Sequence, residues 1–459
     1  MKSKKKHLLF SVLVSAILFS CQHKSKENTP WIYLFDGKSL NGWTQLGGDA
    51  NYKIRDNTIV GTTVHDSPNS FMVYDKIHGD FILELDYKGD SIINSGIQIR
   101  SNSKSYYNGG RVHGYQIKID PSNRSWSAEI YDEDRIEWLN SLMDNPAAQK
   151  AFRQNEWNNF RIEAIGDTIK TWINKVPTAY LIDDKANKGF IGLQVHSIDK
   201  DKEAGTELIW KNIKILTDSL SKYSRRTPLK PVVTKNALGE NETQQGWQML
   251  WDGKTNKGWR GAKLNGFPEK GWEINDGELH VLSSGGRESR VGGDIITLKK
   301  YGDFELKLDF MITDGANSGI KYYVDPELNI GKGSSIGLEY QILDDNLHPD
   351  AKLGNHQGSR TVASLYDLIQ ADLGKPMNGP GQWNSVHIIS KDNHVEHWLN
   401  DMKVLEYERK SPEYRKLVSE SKYVNYPNFG ELESGHILLQ DHGDRVSFKN
   451  IKIKPTIKN

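Results

Sequence analysis

The chain states one ordered set of motifs twice, and this duplication restricts its possible folds more than any other feature. Residues 33–43 read YLFDGKSLNGW and residues 249–259 read MLWDGKTNKGW. GDFILELDYK (79–88) answers GDFELKLDFM (302–311), and NSGIQIRS (94–101) answers NSGIKYYV (317–324). WNNFRIEA (157–164) answers WNSVHIIS (383–390), GLQVH (192–196) answers LLQDH (438–442), and WKNIKI (210–215) answers FKNIKI (448–453). A period of about 220 residues is too long for a solenoid turn or a propeller blade and marks a duplicated domain. The first copy should span 31–217 and the second 246–455, joined by a linker at 218–245 rich in Ser, Lys, Thr, Asn and Gln, with Pro228 and Pro231.

Within each copy apolar and polar residues alternate over short runs, as in FILELDY (81–87), FELKLDF (304–310) and TIKTWIN (168–174). Period two with Gly, Asn and Asp between the runs predicts antiparallel strands, hence an all-β chain of two sandwiches or jelly rolls. Helix is expected only at 145–153 and 411–422. Strand parity then sorts the side chains by face. In the first copy Ile97, Ile99, Tyr115, Ile117 and Leu193 should point inward, and Gln98, Arg100, Gln116, Lys118, Asp120, Gln194 and His196 outward. In the second, Ile320, Leu338, Tyr340 and Leu439 should point inward, and Lys321, Tyr323, Glu339, Gln341, Gln440 and His442 outward. A merely solvated face favours Lys, Glu and Thr; Gln, His and a cation at matched positions predict the floor of a polar groove.

A net charge of +1 argues against a phosphate-tracking surface, and no nucleic-acid partner is expected. The N-terminus carries Lys2, Lys4, Lys5 and Lys6 before the apolar stretch Leu8–Phe19, the pattern of an export signal. That stretch falls short of the ~20 residues that span a bilayer. Leu18-Phe19-Ser20-Cys21 resembles a bacterial lipobox, which implies a signal peptide over 1–21, lipidation of Cys21 and a tether at 22–30. The expected location is the cell envelope, lipid-anchored at the periplasmic face of the outer membrane. Cys21 is the single cysteine, so neither fold can rely on a disulfide.

The LFDGKSLNGW opening, the GDFxLxLD and NSGI strands, the WNxxxI strand and the closing Q-x-H strand resemble the bacterial 3-keto-disaccharide hydrolase family. The resemblance covers nearly all of both domains and implies concanavalin- or glucanase-like jelly rolls. The copies look like two branches: the first has VHGYQIKIDPSNRSWS (112–127) and IYDEDR (130–135), the second GLEYQILDD (337–345), SLYDLI (364–369) and ILLQDHGD (437–444). The implied chemistry is cleavage of a glycoside already oxidised to a ketone at carbon 3. The ketone acidifies the hydrogen on carbon 2, a base removes it, and the aglycone on carbon 1 leaves with help from an acid. Ordinary glycosidases instead flank the bond with two carboxylates.

Such a site requires a base, an oxyanion stabiliser and a proton donor. In the second copy Glu339 is the first choice for base or metal ligand, with Gln341 on the same face. His442 is the candidate acid, base or ligand, Lys321 the cation for an enolate, and His397 and Tyr366 further candidates. Asp441 has core parity, so it lies past the strand end or orients a neighbour. In the first copy the Glu339 position reads as Gly114 and the Asp441 position as Val195. There Asp120 and the Asp132–Glu133 pair could substitute, with Arg100, Gln116, Gln194 and His196 completing a second site; the alternative is a domain for binding or spacing. No H-E-x-x-H or C-x-x-C occurs, so a divalent ion, if used, would be held by separate strands through Glu339 and His442. No GxGxxG or P-loop is present, so the oxidation that makes a keto sugar falls to a separate oxidoreductase. Because jelly rolls also serve as lectins, a non-catalytic carbohydrate-binding protein is the competing reading.

Overall fold

The computed structural model describes residues 30–456 except 90–92, 136, 289, 332 and 427. The expected signal peptide, Cys21 and most of the expected tether lie outside the described residues. The alternating runs become antiparallel strands, and in each copy two sheets pack face to face.

In the first copy one sheet orders its strands 43–47, 70–78, 189–195, 95–101, 114–119, 130–133 and 137–138. The second copy repeats its centre: 259–261, 295–297, 436–439, 317–325 and 336–343. Both therefore place the NSG strand between the Q-x-H strand and the YQ strand. The opposing sheets centre on 81–89 and on 304–312, flanked by 158–165 and 207–216 in one copy and by 384–391 and 446–455 in the other. Inward-facing residues of both layers form one core per copy. Ile97, Ile117 and Leu193 meet Leu83, Leu85 and Trp210 in the first, and Ile320, Tyr340 and Leu439 meet Leu306, Leu308 and Phe448 in the second.

The shared motifs are turn and bulge devices. Asp36 Oδ1 accepts the Lys38 and Ser39 amides at 2.7 and 2.8 Å, as Asp252 Oδ1 accepts those of Lys254 and Thr255 at 2.9 and 2.7 Å. Trp43 and Trp259 are buried, and each Nε1 donates to a carbonyl nine residues back, Leu34 or Leu250, at 2.9 Å. Asn212 and Asn450, both left-handed, donate to Asp86 and Asp309 at 2.6 Å.

Helices are shorter than expected: Pro146–Gln149, where Asn145 Oδ1 accepts the Ala148 amide, and Pro412–Ser419, capped by Ser411. Two short helices in the linker, Leu220–Tyr223 and Glu240–Gln244, carried no strong sequence signal. The linker itself is strapped to both domains. Val232–Val233 adds in parallel to Val176–Ile182, Asn236 and Asn450 exchange two hydrogen bonds of 2.7 Å, and Glu242 pairs with Lys452.

Parity fails at one matched place in each copy. Arg100 and Tyr323 have φ of 46° and 51° and mark register shifts in the NSG strands. Such a bulge re-aims the following side chains, and both residues turn inward rather than onto the polar face.

Candidate active site

The polar face of the second copy carries a cavity of about 270 Å³, lined by Lys321, Glu339, Tyr366, Lys422, Gln440 and His442 among others. At its floor Glu339 Oε2 lies 3.3 Å from Lys321 Nζ, with Glu339 only 4% exposed. Antiparallel pairing sets this contact, because Lys321 sits directly opposite Glu339. Lys321 Nζ also donates to Ser334 Oγ at 2.6 Å and to the Ser335 carbonyl at 3.2 Å. Burial pushes the Glu339 carboxyl above its ordinary range despite the opposing pull of Lys321 and Lys422. Gln341 stands behind it; with its amide nitrogen turned towards the acid it donates to Glu339 Oε1 at 3.2 Å and to the Ser318 carbonyl at 3.1 Å.

The glycine of NSGI makes room for this acid. A Cβ on Gly319 would come within 2.3 Å of Glu339 Oε1. Gly319→Ala is therefore expected to displace the carboxylate, at a stability cost of about 1–3 kcal/mol. Thermal melts should show that modest loss beside a disproportionate fall in turnover.

His442 borders the cavity with Nε2 3.3 Å from the Asn317 amide nitrogen, while its Nδ1 has no hydrogen-bond partner among the described residues. His348, His442 and Asp444 bring potential ligand atoms within 4.8 Å of one another, a group that does not include Glu339. Tyr366 donates to Asp350 Oδ2 at 2.9 Å, and Arg360 bridges Asp350 and Asp367 at 2.7 and 2.8 Å. Asp367 accepts the Lys422 amide at 3.1 Å and so fixes the segment carrying a cation that strand reasoning missed. Lys422 Nζ sits 4.2 Å from the Tyr366 ring centre. It comes from the helical insertion after Ser411, which has no counterpart in the first copy; the helix expected at 411–422 gave no sign that its end reaches the cavity.

Besides Gln341, two candidates lie away from the cavity lining. His397 is fully buried between the sheets, bonded to Tyr322 Oη at 2.8 Å and the Ala363 carbonyl at 2.9 Å, and burial lowers its pKa to about 4. It is a core histidine. Asp441 lies past the end of strand His436–Leu439 and accepts amides of Gly293 and Gly443 at 2.9 and 3.0 Å, bracing loops beside His442.

Strand pairing also corrects the alignment of the copies. Gln98 pairs with Gln116 as Lys321 pairs with Glu339, so Gln116, not Gly114, occupies the Glu339 position. The glycines agree: a Cβ on Gly96 would strike Gln116 at 2.4 Å. The Lys321–Glu339 ion pair is thus two glutamines in the first copy. Glu133 supplies the carboxylate there, accepting from Asn69 and Gln116 at 3.0 Å and from Gln194 at 3.5 Å. Lys118, at the Gln341 position, is the nearby cation, 4.5 Å from the Tyr131 ring centre. His196 Nδ1 is bonded to the Ser197 carbonyl at 2.7 Å. Asp120 is tied to Arg124 at 2.8 Å and Asp132 to Arg135 at 2.6 Å, so both are braces of their loops. Arg100 is buried at the sandwich end, donating to the Gly79 and Gly166 carbonyls at 2.9 and 2.8 Å and pairing with Asp80 at 2.9 Å.

Tandem jelly-roll sandwiches, with an enclosed carboxylate–ammonium pair on the polar face of one copy, define the class. The chain belongs to the family of 3-keto-alpha-glucoside-1,2-lyase-like domains, whose model matches residues 30–216 and 246–454. It is 38% identical over 231 residues to a 3-keto-disaccharide hydrolase of Bacteroides thetaiotaomicron, covering 46% of this chain and 78% of that one. Among solved structures it resembles a "putative glycosyl hydrolase" of Parabacteroides distasonis ATCC 8503 at 31% identity, covering 49% of this chain and 100% of that one, with a TM-score of 0.42. The carbohydrate-binding module CBM66 of Bacillus subtilis matches at 16% identity, covering 38% of this chain and 95% of that one, with a TM-score of 0.28.

Proposed function

We infer that the chain is a glycoside-cleaving enzyme whose second domain acts on sugars oxidised to a ketone at carbon 3. The observation that carries this reading is Glu339, buried and 3.3 Å from Lys321 at the floor of a sugar-sized cavity with Lys422 on its wall. A carboxyl raised by burial is a stronger base than a solvated one, and paired ammonium groups suit an oxygen that gains charge.

Glu339 takes the proton from carbon 2, and the electron pair moves onto the carbon 3 oxygen, held by Lys321 or Lys422. Collapse of that enolate breaks the bond from carbon 1 to the aglycone oxygen, which receives a proton from His442. The product is an enone; addition of water at carbon 1 completes net hydrolysis. His348, His442 and Asp444 form a mixed imidazole–carboxylate set suited to a borderline divalent ion. Assays with and without a chelator distinguish His442 as ligand from His442 as acid.

The substrate must come from an oxidoreductase that converts a carbon 3 hydroxyl to a ketone. Lipidation at Cys21 would hold both domains at the envelope, where such glycosides enter. The direct test offers a 3-keto glucoside with a chromophoric leaving group beside its unoxidised parent. Release from the keto compound alone is expected. Binding without release from either would favour the lectin reading.

A further inference from the structure

We propose that the cleft between the two domains is a binding site for a neutral, unoxidised oligosaccharide, separate from the cavity around Glu339. The cleft has a volume of about 880 Å³, towards the upper end of the roughly 300–1,000 Å³ of small-molecule sites. Trp126 and Trp138 line it from the first domain, Trp383 and Trp398 from the second. Its second-domain wall includes residues of strands 304–312, 384–391 and 394–399, which belong to the sheet opposite the one carrying Glu339.

The four tryptophans are partly exposed, and none belongs to either domain's core. Trp126 and Trp138 meet edge to face at 5.4 Å, with the Arg124 guanidinium 4.8 and 4.1 Å from their centres. Across the cleft, Lys449 lies 3.9 Å from the Trp383 ring centre. Cations thus hold these rings in place. Rigid aromatic faces beside polar groups suit sugars, which present apolar C–H faces and a rim of hydroxyls.

Charge sets the ligand class. Seven cations and five anions line the cleft; Lys449 pairs with Asp184, Lys452 with Glu242, Arg135 with Asp132, and Arg124 with Asp120 beyond the lining, so most of that charge is neutralised within the walls, which offer both donors and acceptors. A polyanion would meet repulsion from Asp309 and the exposed Asp401 beside the attraction of Lys104, Lys185 and Lys307. A neutral polyhydroxylated chain meets both kinds of partner without that repulsion. The strapped linker fixes the two walls in advance, which lowers the ordering cost of binding.

The test titrates the full chain with maltohexaose, cellohexaose, xylohexaose and mannohexaose by calorimetry and tryptophan fluorescence. At least one should bind with Kd below about 1 mM, and Trp138→Ala and Trp383→Ala should each weaken it roughly tenfold. Trp138→Phe and Trp383→Phe should retain most of the affinity, which separates lost stacking from misfolding. Glu339→Gln should leave binding unchanged, so failure of the keto-glycoside chemistry would not register here. Three outcomes overturn the proposal: no neutral hexasaccharide binds, binding follows Glu339 rather than the tryptophans, or a hexauronate binds in preference.

Discussion

Glu339→Gln in the intact chain is expected to lower keto-glycoside cleavage by about 10²–10⁴-fold, the range for removing a general base. The amide keeps the size of the side chain and much of its hydrogen bonding, so the fold should persist and the keto sugar should still enter the cavity. Two further substitutions give the result its meaning. Glu288, exposed at the cavity rim, is the other carboxylate of the lining. If the enzyme were an ordinary glycosidase working through paired carboxylates, Glu288→Gln would be as damaging as Glu339→Gln. Base catalysis by Glu339 predicts a much smaller effect. Asp120→Ala, in the first domain, should leave turnover intact because Asp120 braces a loop through Arg124. Activity that survives Glu339→Gln but not Asp120→Ala would move the chemistry to the first domain.

The second large effect concerns stability. Glu129 is buried in the first domain with neither carboxylate oxygen hydrogen-bonded among the described residues, and burial pushes its pKa up to about 9. The unfolded chain would ionise it near the ordinary 4.5. A raised folded-state pKa contributes stability that is fully present below 4.5, falls as pH rises, and is lost by about 9. Glu129→Gln removes that dependence. Relative to the parent, the variant should gain up to about 1.4 kcal/mol per pH unit across this window. Urea unfolding at pH 5, 7 and 9, followed through the first domain's transition, reads the widening gap. Parallel pH profiles for parent and variant would show that Glu129 ionises inside the fold.

The sequence made the architecture legible because duplication exposes the motifs that build turns. Asp36, Trp43 and Asn212 recur as Asp252, Trp259 and Asn450 with the same hydrogen bonds, so their repetition reports local geometry rather than chemistry. Alternation correctly put Lys321, Glu339, Gln440 and His442 on one polar face. It failed at Arg100 and Tyr323, where a left-handed residue shifts the register and parity no longer counts. The same local reading matched Gly114 to Glu339 because both precede a Tyr-Gln pair. Only cross-strand partners, set by residues far apart in sequence, identify Gln116 as the true equivalent. Lys422 and Glu133 were hard to weigh for a related reason. One arrives at the end of an insertion legible only as a helix and the other gains its surroundings from three strands and a loop, and strand alternation brings neither to its site.

With the register corrected, the copies differ more sharply than their shared motifs suggest. The second holds a buried carboxylate against an ammonium where the first holds two amides, and the first gathers its charge one strand away, around Glu133. We therefore propose that proton abstraction belongs to the second domain. The most direct measurement follows carbon 2 itself: cleavage of a 3-keto glucoside carrying deuterium at that carbon, by the parent chain and by Glu339→Gln. Abstraction at carbon 2 by Glu339 predicts loss of the label from the sugar product, a slower reaction than with hydrogen, and almost no turnover by the variant. Cleavage that keeps the deuterium on carbon 2 and shows no rate difference would contradict it.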